Sequence, residues 1–311
     1  MVWDTIPHVD FAEARETFFQ PRTGVAAAAP ETPALRLRHV LEPLAMVSVW
    51  GAPAHQHLTK AGLDFLTGYV GGRACVLGDP SPGVVAATFA VFEPGLAGEL
   101  WRGARAACSV EDLLGVRELG GGESLRAALE GIEVAEIGRV TRSLRGALDA
   151  AGPADLAGRP LYAGLRDLPW PTDPHAALWH VATLYREHRG DAHLGACTAA
   201  GIDGLEANIL TELRIGFDLY EYTGTRGWSP EAMDAAVARL AARGWIADGG
   251  LTPGGRAARE GIEVATDLAQ QRVLDALGDE LDELLVTLGR WADRVVDAGW
   301  FPPDPYKRAA G

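Results

Sequence analysis

Between Trp228 and Asp267 the chain spells a helix, a very short β-hairpin and a second helix, which is the order of the back half of a winged helix. Ser229, Pro230 and Glu231 supply a cap, a proline tolerated in the first turn and an acid that suits a helix N-terminus. Val237, Leu240 and Ala241 then give an apolar stripe, and Gly244 stops it. Trp245-Ile246-Ala247 reads as a short strand, Asp248-Gly249 as a tight hairpin pair, and Leu251-Thr252-Pro253 as the return and the start of the next helix. A DNA-reading winged helix needs outward Arg, Lys, Asn or Gln. From Trp228 to Gln270 the bases are Arg239, Arg243, Arg256 and Arg259, against Glu231, Asp234, Asp248, Glu260, Glu263 and Asp267. The scaffold and its charge therefore point in different directions.

The rest of the composition agrees with the charge. At −14 the chain repels phosphate backbones at long range unless a local basic face overrides it. Arg15, Arg22, Arg36 and Arg38 are the bases that the amino-terminal region would contribute to such a face. A hydrophobic share of 48% is ample for real cores. No apolar run reaches the length of a membrane span, and Met1 to Pro7 lacks the basic-then-apolar order of a signal peptide, so the expected setting is cytoplasmic, with no membrane partner. Cys75, Cys108 and Cys197 stand far apart without a CxxC pair and read as buried core thiols.

Three stretches divide the chain: an arm over 1–33, a first helical winged-helix-like unit over 34–150, and a second over 151–311 that carries the winged helix and a last helix. Leu37, Val40, Leu41, Leu44 and Val47 recur at helical spacing until Gly51-Ala52-Pro53, and His55 and His57 then fall in a turn. Ala74, Gly78 and Val84 have the spacing of a helix-turn-helix, with Asp79 and Ser81 as candidate caps. Its second helix, Pro82 to Phe92, has no charged residue and reads as buried. A comparable unit runs from Asp191, a candidate cap after a break at Gly190, through Gly201 to Asp203 and a helix carrying Asn208 beside Glu206 and Glu212. Tyr69 and Arg73 precede one turn as Tyr185 and Arg189 precede the other, which suggests an internal duplication. Pro94-Gly95, Gly120-Gly121-Gly122 and Gly152-Pro153 read as breaks between the copies. After Gly278, Leu281, Leu284, Leu285, Leu288, Trp291 and Val295 form one side of a last amphipathic helix, which either completes the core or pairs with a second subunit as a homodimer.

Gly244-Trp245-Ile246, Leu251 to Gly255 and Glu263 to Asp267 resemble the wing and following helix of MarR-type winged-helix proteins. Gly68 to Ala74, Trp179-His180, Arg186 to His193 and Arg226-Gly227-Trp228 are similar to a family of actinobacterial helix-turn-helix domain proteins, over residues 34 to 300. The resemblance implies a mainly α protein of tandem winged-helix-like, helix-turn-helix units with a minimal β-hairpin wing. It assigns no residue a role.

The other chemistry-bearing segment runs from Pro174 to His193. On a helix His180, Thr183, Glu187 and Asp191 fall three to four residues apart, beside Trp179 and Tyr185. Titratable groups near an apolar stripe must satisfy one another or face a ligand. One reading is a salt-bridge network around Arg186, Glu187, His188 and Arg189 that docks the units. The other is the wall of a small-molecule site, with Tyr69, Arg73, Trp179, His180, Thr183, Arg186, Glu187, His188, Asp191 and His193 as its candidate residues and an apolar or aromatic molecule as its ligand. An enzyme using His180, Glu187, His188 and His193 is the third reading, although no nucleophile motif accompanies them. No metal is expected, because His188 and His193 belong to no ligand motif, and no cofactor, because neither Gly120–Gly122 nor Gly68-x-x-Gly71-Gly72 is a phosphate loop. The leading expectation is a regulator-like small-molecule binder with weak or no DNA affinity. A MarR-like DNA-binding transcription regulator is the alternative.

Overall fold

The computed structural model describes residues 19–20 and 31–308, so most of the amino-terminal arm, with Arg15 and Arg22, lies outside the described residues. Helix α1 (Pro33–Trp50) starts where Thr32 accepts from the Leu35 N–H, and the Thr32 hydroxyl donates to Asp267 at 2.5 Å. Its apolar stripe of Leu37, Leu41, Leu44 and Val47 is buried, as the spacing predicts, and Gly51 ends it. There follow α2 (Ala52–Lys60), α3 (Phe65–Ala74), α4 (Pro82–Phe89), α5 (Pro94–Ala107), α6 (Val110–Ala128), α7 (Val134–Ala151) and α8 (Pro160–Arg166). The carboxyl-terminal half holds α9 (Pro174–Ala199), α10 (Gly204–Ile215), α11 (Pro230–Ala242), α12 (Pro253–Leu268), α13 (Gln271–Leu277), α14 (Leu281–Asp297) and α15 (Pro305–Arg308).

The winged half is as the sequence spells it. Ser229 caps α11 and Thr252 caps α12, each side chain accepting from the backbone three residues on. Between them β1 (Ile246–Ala247) and β2 (Gly250–Leu251) pair antiparallel, Ile246 opposite Leu251. Asp248 at φ 50° and Gly249 at φ 73° form the positive-φ turn that a two-residue hairpin requires. Both helix-turn-helix corners are present as well. Gly78 at φ 80° separates α3 and a short 3-10 turn from α4, and Gly201 at φ 67° separates α9 from α10, where Asp203 and Glu206 form a capping box.

Two apolar clusters hold the chain. The smaller one gathers Ile209 and Leu210 of α10, Ala236 and Leu240 of α11, Ile246 and Ile262 under the wing. The larger one joins α1, α3, α6, α7 and the middle of α9 to α13 and α14. Leu284, Leu288, Trp291 and Val295 of α14 are spent inside it, so the last amphipathic helix completes the core.

Five local expectations fail, four of them because glycine or proline is a turn signal only when nothing else claims the site. Gly120, Gly121 and Gly122 lie inside α6 and are all buried. A Cβ on Gly121 would sit 2.3 Å from the Trp179 ring, and those on Gly120 and Gly122 about as close as 3.0 Å to Ala54 and Ala176. The three glycines let α2 and α9 lie against α6 and break nothing. Gly190 does not stop α9, which runs unbroken to Ala199, so Asp191 is an interior residue and caps nothing. Pro94-Gly95 opens α5, and Pro53 sits in the first turn of α2, so His55 and His57 are helical. The uncharged α4 is only half buried: Val85, Thr88 and Phe89 face inward while Val84 is 48% exposed.

Candidate functional site

A cavity of about 830 Å³ opens between α1, α9, α10 and α12. Its apolar walls include Leu37 and Leu41 of α1, Tyr185 of α9, Ile215 of α10 and Val273 and Leu274 of α13. Its polar lining is unusual for so acidic a chain. Seven arginines (Arg38, Arg73, Arg186, Arg189, Arg214, Arg259, Arg308) face four glutamates (Glu31, Glu42, Glu187, Glu263), an excess of three positive charges.

Most of those charges are already matched. The Arg73 guanidinium grips Glu187 through two bonds of 2.9 Å while also donating to the Tyr69 hydroxyl at 2.7 Å. Arg186 donates to Glu187 at 2.8 Å and to Glu42 at 3.0 Å, tying α9 to α1. Burial works against charge on Glu187, but Arg73 and Arg186 outweigh it and hold the carboxyl down at about 2. Burial likewise opposes charge on Arg186, and Glu42 and Glu187 reverse the effect, raising its pKa. Deeper in, Arg189 donates to Glu263 at 2.8 Å and Asp267 at 2.9 Å, and Arg259 pairs with Glu263 at 2.6 Å. Glu263 is held well below the carboxylate range despite its burial, by Arg259 and Arg189.

Arg38 is the exception. No hydrogen bond or ion pair reaches it among the described residues, and burial lowers its pKa, Glu42 and Glu263 pulling it back up while Arg189 and Arg186 push with the burial. His193 stands across the same space. Thr266 gives its hydroxyl hydrogen to Ile262 O at 2.7 Å, so it accepts from His193 Nδ1–H at 3.1 Å, which leaves Nε2 a bare acceptor. Burial, with Arg259 beside it, pushes the His193 pKa down to about 3, so the ring is neutral.

Of the ten residues that the sequence nominates, the structure brings Arg73, Arg186, Glu187 and His193 to this cavity. Tyr69 and Thr183 lie against a second void of about 40 Å³ behind the Arg73–Glu187 pair. Trp179, His180, His188 and Asp191 line neither. Successive residues on a helix are turned by about 100°, and α9 is enclosed by partners, so neighbours in sequence go to different ones. The Trp179 indole donates to Ala45 O at 3.1 Å beneath the Arg117 guanidinium. His180 packs edge-on to Trp170, its centroid 5.0 Å away, and burial and Arg117 push its pKa down to about 3. His188 is sealed between Asp155 (2.5 Å) and Gln270 (2.9 Å). Asp191 accepts from the Tyr162 N–H at 3.0 Å, and burial raises its pKa to about 7. The salt-bridge network that one sequence reading expects is present around Arg186 and Glu187, and it forms one wall of the cavity. His180, Glu187, His188 and His193 do not converge on one point. Arg38, Arg189 and Glu263 are cavity residues outside the ten nominated ones: in the sequence Arg189 reads as part of the salt-bridge network, and Arg38 and Glu263 as charges without a motif.

These buried groups set a pH dependence. Below the ordinary imidazole value of 6.5 the unfolded chain protonates His180 and His193 while the folded chain does not until about 3, so their stabilisation is full above 6.5 and fades on acidification. Asp191 acts in the opposite sense, because between 3.8 and about 7 the folded chain keeps a proton that the unfolded chain has lost. His39, His175 and His188 are shifted down in the same sense as these two rings, and Glu212 up like Asp191, so the histidines outnumber the buried acids and stability should fall as the pH drops from ~6 to ~4. Denaturant unfolding across that range tests this, and a flat or rising profile contradicts the burial of the two rings.

The face that would meet DNA is poor in free bases. On α11 the exposed residues are Pro230, Glu231, Asp234, Ala235, Ala238, Arg239, Ala241 and Ala242, followed by Arg243. Arg239 is paired with Glu206 at 2.8 Å and Asp203 at 2.7 Å, and Arg243 lies on the Trp245 ring while donating to Ala200 O and Gly201 O. Arg256, next to the wing, is bonded to Leu251 O at 2.5 Å.

The architecture is therefore a mainly α, helix-turn-helix one, with a cluster of arginines around an internal cavity. The chain belongs to a helix-turn-helix family, whose model matches residues 34–302. No curated protein and no solved structure matches it. Among the described residues no helix is long and apolar enough to cross a membrane, and no group of three or more His, Cys, Asp or Glu is arranged to hold a metal ion.

Proposed function

We propose that this helix-turn-helix protein is a regulator-like binder of a small molecule with an apolar or aromatic body, with a MarR-like winged half that has little affinity for DNA. The observation that carries the reading is the cavity of about 830 Å³, within the size range of small-molecule sites and walled by aliphatic and tyrosine side chains beside a charged network that is mostly paired within itself. A cytoplasmic setting goes with this reading, as does a substrate-free, non-catalytic role for Glu187, which is held by two arginines. The alternative is a DNA-binding transcription regulator, favoured by the fold family and opposed by the paired state of Arg239 and Arg243.

Gly190 lines the cavity from α9, where an added side chain points beside the Glu187 carboxylate. Naphthalenemethanol, a neutral aromatic probe, should raise the melting temperature of the protein, by an amount equivalent to about 2.7 kcal/mol at a hundred times its Kd. Gly190→Phe, which fills the space, should abolish the rise. A probe that stabilises both proteins equally, or neither, removes the cavity as the binding site.

A further inference from the structure

Among the described residues the cavity holds one guanidinium with no bonded partner, and the charge around it says what is missing. Glu42, Glu187 and Glu263 each have at least one arginine at salt-bridge distance, and Glu31, the fourth lining glutamate, is exposed and not among the charges that act on Arg38. Arg189 and Arg186 lie close enough to depress its pKa, and His193 beside them is neutral. A half-buried cation with no bonded partner, set among Glu42 and Glu263 that are held by other arginines and among Arg189 and Arg186, is costly for the empty protein. An anion placed there would relieve that cost, and a guanidinium presents a planar fork that fits two oxygens of a carboxylate or phosphate. From this position the apolar wall formed by Leu37, Leu41, Val273 and Leu274 begins at once.

Resting on the reading of the cavity as a ligand site, we infer that its ligand is an amphiphilic oxyanion: a carboxylate or phosphate head held by Arg38 and an apolar body laid against α1 and α13. His193 Nε2, with its hydrogen-bonding lone pair, selects a hydroxyl or N–H on that body. The inference goes beyond shape, since it requires that ligands of equal size be ranked by their charge. Relief of the unmatched cation also means that Arg38 is a liability in the empty protein.

Calorimetric titration of three ligands with one body tests it: naphthoate, naphthyl phosphate and naphthalenemethanol, against the full chain and against Arg38→Met, which keeps the apolar stem and drops the charge. In the full chain the tighter of the two anions should bind at least tenfold more tightly than the alcohol, and whichever anion leads identifies the head group. In Arg38→Met the preference should collapse to within about twofold while alcohol binding persists, and the empty variant should melt no lower than the parent. If the alcohol binds the full chain as well as both anions do, the oxyanion inference is overturned and the cavity reading stands. Should an anion preference survive in Arg38→Met, the assignment to Arg38 is overturned. If none of the three binds, the inference falls together with the cavity reading.

Discussion

Glu187→Ala is expected to cost about 3–5 kcal/mol, the range found when one member of a buried ion pair is removed and its partner is left charged. Two partners are stranded here. Arg73 loses a two-point bond at 2.9 Å, Arg186 loses its 2.8 Å bond and keeps only Glu42, and Arg117 adds a third positive charge nearby. Glu187 is 3% exposed, so water cannot fill its role without opening the contact between α3 and α9. At a few degrees per kcal/mol for a protein of this size, the melting temperature should drop by roughly 10 °C. Glu187→Gln, which keeps the shape and one acceptor, should lose less. A variant Glu187→Ala that melts within two or three degrees of the parent would mean that the network is solvated and that the wall it forms is not fixed.

The second large effect belongs to a residue with no side chain. Gly121→Ala puts a methyl carbon within 2.3 to 2.5 Å of the Trp179 ring, a distance that cannot persist. Trp179 has nowhere to go, with its indole bonded to Ala45 O and Arg117 4.6 Å above it. The helix-propensity gain of about 1 kcal/mol for Gly to Ala is overwhelmed, and a net loss of about 3 kcal/mol is expected from overpacking. Gly146, on the exposed side of α7, has open space where its Cβ would be, so Gly146→Ala should instead gain about 0.5–1 kcal/mol. Opposite signs in paired thermal melts support close packing of α6 on α9, and equal signs contradict it.

These two residues also mark where the sequence is legible and where it stops being so. Everything local could be read. Ser229, Thr252 and Asp203 announce their helices because a cap is a three-residue event, and Asp248-Gly249 announces the wing because the turn needs two positive φ angles in a row. Gly120–Gly122 and Gly190 misled because glycine is ambiguous: it allows a chain to turn, and equally it allows a helix to approach a neighbour. Only the partner decides, and Trp179 is 58 residues from Gly121 along the chain. The site divides in the same way. Arg186, Glu187 and His193 are legible because α9 concentrates polar groups beside aromatics, and Arg73 because it follows Tyr69 on α3 as Arg189 follows Tyr185, whereas His180, His188 and Asp191 share α9 and serve the α7 and α8 side. Arg38 resembles an ordinary surface base in α1 until α9 and α12 close over it. The negative balance of the α11 and wing region, by contrast, was evident from residue types alone, and in three dimensions the few bases there are occupied as well.

The central claim is that the few bases on the winged face of this helix-turn-helix scaffold are already engaged within the protein. Titration of the protein into a fluorescent mixed-sequence duplex of about three helical turns, first at about 50 mM salt and then at about 200 mM, tests this most directly. That engagement predicts no binding beyond the weak non-specific level at either salt, and no change when Arg239 and Arg243 are replaced by alanine. Tight binding at low salt that weakens by about a thousandfold or more at the higher concentration, and that is lost with those two arginines, would contradict it.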